Sequence, residues 1–339
     1  MKNGWIVRRR YSDFVWLRAL LSSKFTGLFL PALPPKGGDV MKSSSTDLSK
    51  DSFVVCRQQH LRYFLDGVGR IPVLRSDPSL QAFLSIQDLK EFAAAKESTA
   101  SIEAENDLNE GIQGWRAAVT GFKPPMTWDR GVADYTRQLD AMDGNLKVQQ
   151  RNLGLHLDAL NAAALSVGRL LESFQASAEL EVSFGDSTKM EFKNKDSTRA
   201  TAVSAAVVKA FEMEHKVAVT APLNVELIVS TGMKYQALQV AAFREHLKQA
   251  AELTKLETAE TKTLNVYLDA ERNGKPVKKA GSFMSSKKKD PQEIIQEQKD
   301  ILEKRSQVKN MFVSALEFSE IDRFNVERTR FASEVRRRR

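Results

Sequence analysis

Cysteine is almost absent from this sequence, and histidine is scarce. Among 339 residues Cys56 is the one cysteine, and there are four histidines. A single cysteine excludes an internal disulfide bond and is typical of proteins in a reducing compartment. A zinc site is not expected either, since no metal-ligand motif joins a histidine to Cys56. The sequence therefore predicts neither a structural metal nor a cofactor.

Long apolar runs are also missing. A membrane-spanning helix needs about 20 consecutive apolar residues, and the longest runs in this chain are far shorter. The first ten residues are basic, and no apolar stretch like that of a signal peptide follows them. We therefore expect a cytoplasmic protein that reaches a membrane only as a peripheral partner.

Glutamate is absent from residues 1–90. This segment holds six lysines and eight arginines against seven aspartates, a net charge of +7, whereas the whole chain carries +8. The remaining residues are therefore close to neutral. A small, strongly basic segment indicates an anionic partner, either a phospholipid or a nucleic acid.

The N-terminal segment has the pattern of a small mixed α/β domain. Residues Trp5–Arg10 have strand character, and the prolines of Leu33-Pro34-Pro35 require an extended backbone. Helical spacing of apolar residues predicts three helices. These cover Asp13–Leu21, Phe53–Leu65 and Pro78–Leu84.

The rest of the chain predicts three long helices. The first is indicated by apolar residues at intervals of three and four through residues 128–174, a spacing typical of coiled-coil-like bundles. The second runs from about Ser197 to Ala270 with a kink at Pro222, and the third begins near Pro291. An elongated bundle of this kind usually covers its spare apolar face by dimerisation.

The residues best suited to bind an anion lie in Arg8-Arg9-Arg10-Tyr11-Ser12-Asp13-Phe14. An arginine can grip a phosphate with two charge-assisted hydrogen bonds, and an adjacent tyrosine ring offers an apolar wall to a sugar. Farther along, Lys36 ends the stiff Leu-Pro-Pro segment, and Arg57 precedes Leu61 by one helical turn.

In this order, the motifs Arg-Arg-Tyr-Ser-Asp-Phe, Leu-Pro-Pro-Lys and Arg-x-x-x-Leu-x-x-Phe-Leu resemble a PX domain. The resemblance implies a pocket for phosphatidylinositol 3-phosphate. Arg10 would grip the 3-phosphate, Tyr11 would pack under the inositol ring, Lys36 would meet the 1-phosphate, and Arg57 would bond the 4- and 5-hydroxyls. PX domains ordinarily have two further strands before the segment that starts at Trp5, so we expect an incomplete sheet.

The helical remainder resembles the BAR domain of sorting nexins, in helix length and order. We therefore predict a partial α+β PX-like domain at residues 1–90, a linker with an amphipathic helix at 91–126, and an all-α, elongated, coiled-coil BAR-like three-helix bundle at 127–339. The resemblance implies a non-enzymatic homodimer or heterodimer on the endosome membrane. It would sense or induce curvature in endosomal sorting and intracellular protein transport, with a cargo-retrieval complex as a further partner.

Several segments are candidates for membrane contact. The linker carries an apolar stripe that could fold on a bilayer or pack on the bundle as an ordinary helix. The loop after Lys36 and the lysine-rich connection before the third long helix could touch anionic lipid, although the latter could equally be a solubilising loop. The candidates are Val40, Met41, Ile112, Trp115, Val119, Phe122, Lys278, Lys279, Lys287, Lys288 and Lys289.

The alternative reading is a basic coiled-coil protein that binds nucleic acid or serves as a scaffold. It predicts basic residues interleaved with stacking aromatics or a recognition helix, and neither pattern is evident, so we expect no nucleic-acid partner. Catalysis is not indicated, since the sequence lacks a glycine-rich phosphate loop, a histidine-centred triad and a kinase-like motif set.

Overall fold

The computed structural model describes residues 6–36, 50–105, 110–122, 128–187, 195–274 and 290–337. All regular structure within these ranges is helical. The strand predicted at Trp5–Arg10 does not form over residues 6–10, which have no regular secondary structure. An isolated strand leaves its backbone hydrogen-bonding groups unpaired, and the described residues offer it no partner strand.

Within the described ranges, six helices precede the long ones. Helices α1 and α2 extend beyond both ends of the predicted ranges, and α4 matches its prediction to within a residue. Asp77 caps α4 by accepting hydrogen bonds from the N–H groups of Ser79 and Leu80, at 2.9 and 3.1 Å. The bounds are Tyr11–Lys24 (α1), Lys50–Gly69 (α2), Pro72–Arg75 (α3), Pro78–Ser85 (α4), Leu89–Glu105 (α5) and Glu110–Thr120 (α6).

The three predicted long helices are confirmed, two of them with an interruption. Helix α7 covers Trp128–Ser187, longer than the 3–4 spacing indicated. The second long helix consists of α8, Lys195–Val225, and α9, Thr231–Arg272, joined by a π-helical turn at Glu226–Ser230. The third consists of α10, Pro291–Ala315, and α11, Ile321–Arg337, joined by a second π-helical turn at Leu316–Glu320.

The chain divides into two compact units. Unit 1 contains the described residues within 1–33, 61–142 and 238–331, and unit 2 those within 34–60, 143–237 and 332–339. Each unit thus takes segments from before and after residue 90.

The main hydrophobic core lies in unit 1. It joins α1, the C-terminal half of α2, and helices α3 to α6 with Ala315 of α10. Aromatic rings meet edge to face at its centre, as between Phe14 and Phe83, whose centroids are 5.0 Å apart. Its fully buried members include Leu17, Leu21, Phe25, Phe64, Val68, Leu74 and Val119.

The segment after α1 is fixed against the long helices of unit 1. His246 donates a hydrogen bond from Nε2 to the carbonyl of Gly27 at 3.0 Å, and its ring lies 4.5 Å from that of Phe312. The pKa of His246 is lowered from its usual 6.5 to about 4, mainly by burial and in part by the charges of Arg323 and Arg18, while the hydrogen bond to Gly27 opposes the shift.

Because of His246, we expect the protein to lose stability in mild acid. Because the unfolded chain takes up a proton near pH 6.5 and the folded chain near pH 4, the free energy of unfolding should fall between those values. The loss is about 3 kcal/mol, fully present below pH 4. Urea unfolding at a series of pH values checks this against His246→Gln, which keeps an N–H donor but does not titrate. Equal slopes of stability against pH in the two proteins would contradict the assignment.

Candidate functional site

The three consecutive arginines at the N-terminus have different surroundings. Arg9 is half-buried, whereas Arg8 and Arg10 are exposed. In an extended backbone, successive side chains point to opposite sides, so the alternation follows from the extended conformation before α1. One arginine of the triplet therefore faces the protein, and its two neighbours face solvent.

Arg9 is held at the C-terminal end of α4. Its Nε donates to the carbonyl of Phe83 at 2.9 Å, and Nη2 donates to that of Ile86 at 2.6 Å. Carbonyls at a helix C-terminus lack intrahelical partners and carry partial negative charge, which favours a cation. The guanidinium also lies 3.9 Å from the centroid of the Phe92 ring. Arg9 is thus committed to structure.

Arg10 occupies the N-cap position of α1, with φ −84° and ψ 160°. Its backbone N–H donates to Oδ2 of Asp13 at 2.8 Å, and its carbonyl accepts from the Asp13 N–H at 2.9 Å. This reciprocal pair fixes the backbone where the chain enters the helix. Arg10 therefore extends an exposed guanidinium from a rigid point, beside the half-buried Tyr11.

Asp13 is itself anchored from the other side. Lys96 of α5 donates to its Oδ1 at 2.8 Å. Burial would raise the pKa of Asp13, but the hydrogen bonds from Lys96 and the Arg10 N–H, with the charges of Lys96 and Arg9, outweigh burial and lower it. The ionised carboxylate therefore keeps its hold on the Arg10 backbone at neutral pH.

The other two predicted lipid-binding residues belong to unit 2. Lys36 is exposed at the end of the Leu-Pro-Pro segment, and Arg57 is half-buried in α2. Nη1 of Arg57 approaches the carbonyl of Lys36 at 3.5 Å, the outer limit of a hydrogen bond. The structure therefore brings Lys36 and Arg57 together, and separately joins Arg10 to Tyr11 at the start of α1.

Two of the predicted membrane-contact residues are buried in this structure. Trp115 is 8% exposed and Val119 is 0% exposed, both within the core of unit 1. Helix α6 packs on α3 and α10, so its apolar stripe forms part of the protein core. Phe122 also has a protein partner, since its ring lies 5.7 Å from that of Phe318.

The remaining membrane-contact candidates lie outside what the structure describes. They are the residues of the loop after Lys36, those of the lysine-rich connection and the side chain of Ile112, namely Val40, Met41, Ile112, Lys278, Lys279, Lys287, Lys288 and Lys289.

Sequence reasoning missed a buried polar cluster in unit 2. His60 donates from Nε2 to the carbonyl of Thr231 at 3.0 Å, and Sγ of Cys56 lies 3.1 Å from the Thr231 hydroxyl. Burial holds the pKa of His60 below its usual value, the nearby Lys234 lowers it further, and the bond to Thr231 opposes this. The sequence signal was the spacing of four between Cys56 and His60, which places both on one face of α2.

Comparison with known proteins supports the resemblance. The PX domain family matches residues 1–87. Sorting nexin MVP1 of Candida albicans is 40% identical over 81 residues, which are 24% of this chain and 10% of that protein. Sorting nexin 1 of Arabidopsis thaliana is 29% identical over 136 residues, which are 39% of this chain and 32% of that protein. The matched segments thus span between a tenth and a third of these relatives.

The long helices also have a counterpart of known structure. The cryo-EM structure of the SNX-BAR Mvp1 tetramer matches with a TM-score of 0.54 and 16% identity, covering 97% of this chain and 85% of that one. At this identity the match shows the fold. The chain therefore combines a PX-domain sequence with the helical fold of an SNX-BAR protein, as predicted from its resemblance to sorting nexins of the PX-BAR type.

Proposed function

We propose that this protein is a peripheral membrane protein that binds the headgroup of phosphatidylinositol 3-phosphate during endosomal sorting. The observation that carries the proposal is that neighbouring arginines of the triplet have different surroundings. Arg9 is committed to the end of α4, while Arg10 presents a solvent-facing guanidinium beside Tyr11. This occurs within the segment that matches the PX domain family.

The chemistry of the four residues suits a phosphorylated inositol. The Arg10 guanidinium can donate two parallel hydrogen bonds to one phosphate, and the Tyr11 ring can cover an apolar face of the sugar. Lys36 supplies a point charge for a second phosphate. The Arg57 guanidinium carries N–H donors of the kind that bond hydroxyl groups. We assign the 3-phosphate, the ring, the 1-phosphate and the 4- and 5-hydroxyls to them in that order.

Attachment to the membrane would be peripheral. Among the described residues, no helix is long and apolar enough to cross a bilayer. The lysines of the connection after α9, together with Val40 and Met41, would add contacts to anionic lipid, each lysine contributing about 1 kcal/mol. Binding through several weak sites at once raises avidity without stronger individual contacts.

Self-association is part of the proposal. Helices α7 and α8 in unit 2 expose large apolar side chains, including Leu155, Leu165, Leu180, Met213 and Val217, each at least 60% exposed. Large contiguous patches of exposed apolar surface mark interaction sites. The solved structure of similar fold is a tetramer. We propose that this chain forms homodimers or heterodimers that sense or induce curvature, with a cargo-retrieval complex as a further partner.

Replacing Arg10 by alanine should remove most of the specific binding. A charge-assisted bidentate contact stabilises a complex by about 1.5–3 kcal/mol, so affinity should fall about 10- to 100-fold. The measurement is co-sedimentation with phosphatidylcholine–phosphatidylserine vesicles, with and without phosphatidylinositol 3-phosphate. Arg8→Ala is the matched control, since it removes another exposed arginine two residues away.

The two substitutions separate specific from general attraction. Both remove one positive charge, so binding to vesicles without the phosphoinositide should fall equally and modestly. With phosphatidylinositol 3-phosphate, Arg10→Ala alone should lose the extra binding. Equal losses in both variants would show that charge alone drives association, and would overturn the assignment of Arg10.

A further inference from the structure

The π-helical turn at Glu226–Ser230 creates a buried polar socket within unit 2. Such turns arise from one extra residue in a helix and are frequent at functional sites. Thr231, which follows this turn, is 0% exposed. Its hydroxyl donates to the carbonyl of Glu226 at 3.0 Å, across the turn. The turn thus places the hydroxyl and the carbonyl of Thr231 where another helix can form hydrogen bonds with them.

Helix α2 uses both of those groups. His60 donates from Nε2 to the Thr231 carbonyl. Because the Thr231 hydroxyl proton is engaged with Glu226, the Cys56 thiol is the donor in its contact with Thr231 Oγ1 at 3.1 Å. Cys56 and His60 lie one helical turn apart, so two consecutive turns of α2 are fixed to one threonine.

Further contacts surround these bonds. The Tyr235 ring lies 5.6 Å from that of His60. Lys234 pairs with Glu226 at 2.8 Å, with side chains 14% and 6% exposed. Nδ1 of His60 is buried and makes no hydrogen bond with the described residues. A buried nitrogen without a hydrogen bond costs folding free energy. The packing around the His60 ring must therefore offset this cost. We call Cys56, His60, Thr231 and Tyr235 the α2 socket.

We propose that the α2 socket positions Arg57 for the phosphoinositide headgroup, an inference that rests on the proposed function. Arg57 lies in α2 directly after Cys56 and three residues before His60, so the two residues that fix this part of the helix lie on either side of it in the sequence. A binding residue held within a fraction of an ångström loses less freedom when its ligand arrives. His60 and Thr231 are thus positioning residues that act through Arg57 and do not contact the lipid.

The test is calorimetric titration with inositol 1,3-bisphosphate, the soluble headgroup of phosphatidylinositol 3-phosphate. Arg57→Ala should weaken binding about tenfold, as expected for lost hydrogen bonds from a charged group. His60→Ala should approach the same loss. His60→Gln should restore most of the affinity, because the glutamine amide can donate to the Thr231 carbonyl in place of Nε2.

The double variant Arg57→Ala/His60→Ala distinguishes positioning from an independent effect. If His60 acts through Arg57, the double variant should bind no more weakly than Arg57→Ala alone, because the two losses are not additive. Additive losses would overturn the proposal, as would normal affinity in His60→Ala. Failure of the wild type to bind the bisphosphate would instead overturn the proposed function, so the two failures are distinguishable.

Deletion of Leu227 tests the socket without altering any of its side chains. Leu227 is 37% exposed within the π-helical turn, and removing one residue converts such a turn into ordinary α-helix. Circular dichroism should show retained helix, and the affinity for the bisphosphate should fall about as far as in His60→Ala. Unchanged affinity in this variant would overturn the proposal.

Discussion

Replacing Gly27 by alanine should lower the free energy of unfolding by about 2–6 kcal/mol, from about 1–3 for backbone strain and about 1–3 for overpacking. Gly27 has φ +87°, which residues with a side chain rarely adopt. A Cβ there would lie 2.9 Å from both the Cα of Phe312 and the Cβ of Ala315. Neither atom can rotate away, so α10 would have to shift. Urea-induced unfolding followed by circular dichroism measures the change.

Gly144→Ala is the matched control for that substitution. Gly144 is exposed within α7, and a Cβ there would meet nothing within 4 Å. Because alanine favours a helix interior, this change should stabilise the protein by up to about 1 kcal/mol. A small effect at Gly27, similar in size to that at Gly144, would show that the Gly27 segment does not pack on α10.

The helical architecture was largely predictable because its signal is local and repeated. Apolar residues at intervals of three and four recur through α7 and set its seam. Asp290 and Pro291 mark the start of α10, with the Asp290 carboxylate accepting from the N–H of Gln292 at 3.2 Å. The π-helical turn after Val225 was not predicted. Pro222, where a kink was predicted, lies within α8. No local sequence pattern specifies where the extra residue of a π-helical turn is accommodated.

The candidate site was predictable in its motif and not in its detail. Sequence reasoning placed Arg10 and Tyr11 together because they are adjacent. That Arg9 is structural depends on the carbonyls of Phe83 and Ile86, more than 70 positions along the chain. The alternation of side chains in extended backbone would have separated Arg9 from its neighbours, without showing which side faces solvent.

The stripe through Trp115 and Val119 shows a second limit of local patterns. Spacings of three and four make one helix face apolar, but the same spacing serves a bilayer surface and a protein core equally well. The choice depends on which surface lies opposite. In this structure that surface is formed by α3 and α10, the latter about 180 residues away in sequence.

Replacing Glu320 by alanine should destabilise the protein by about 3–5 kcal/mol. The Glu320 side chain is 1% exposed, and its Oε2 accepts the backbone N–H of Phe29 at 2.8 Å. Arg323 pairs with the same carboxylate and also donates to the carbonyl of Phe29. The ion pair therefore satisfies both backbone groups of Phe29. Its loss leaves a buried N–H unpaired and a half-buried guanidinium without its carboxylate.

Glu320→Gln separates the hydrogen bond from the charge. The glutamine oxygen can still accept the Phe29 N–H while the attraction to Arg323 is lost, so this variant should lose less stability than Glu320→Ala, about 1–3 kcal/mol. Glu303→Ala, at an exposed position of α10, is the control and should change stability by less than about 0.5 kcal/mol. Chemical denaturation of the three variants gives the order directly. If Glu320→Ala destabilised the protein no more than Glu303→Ala, the second π-helical turn would not fix the Phe29 segment. Removing a carboxylate that bonds a buried peptide group must lower stability more than removing an exposed one.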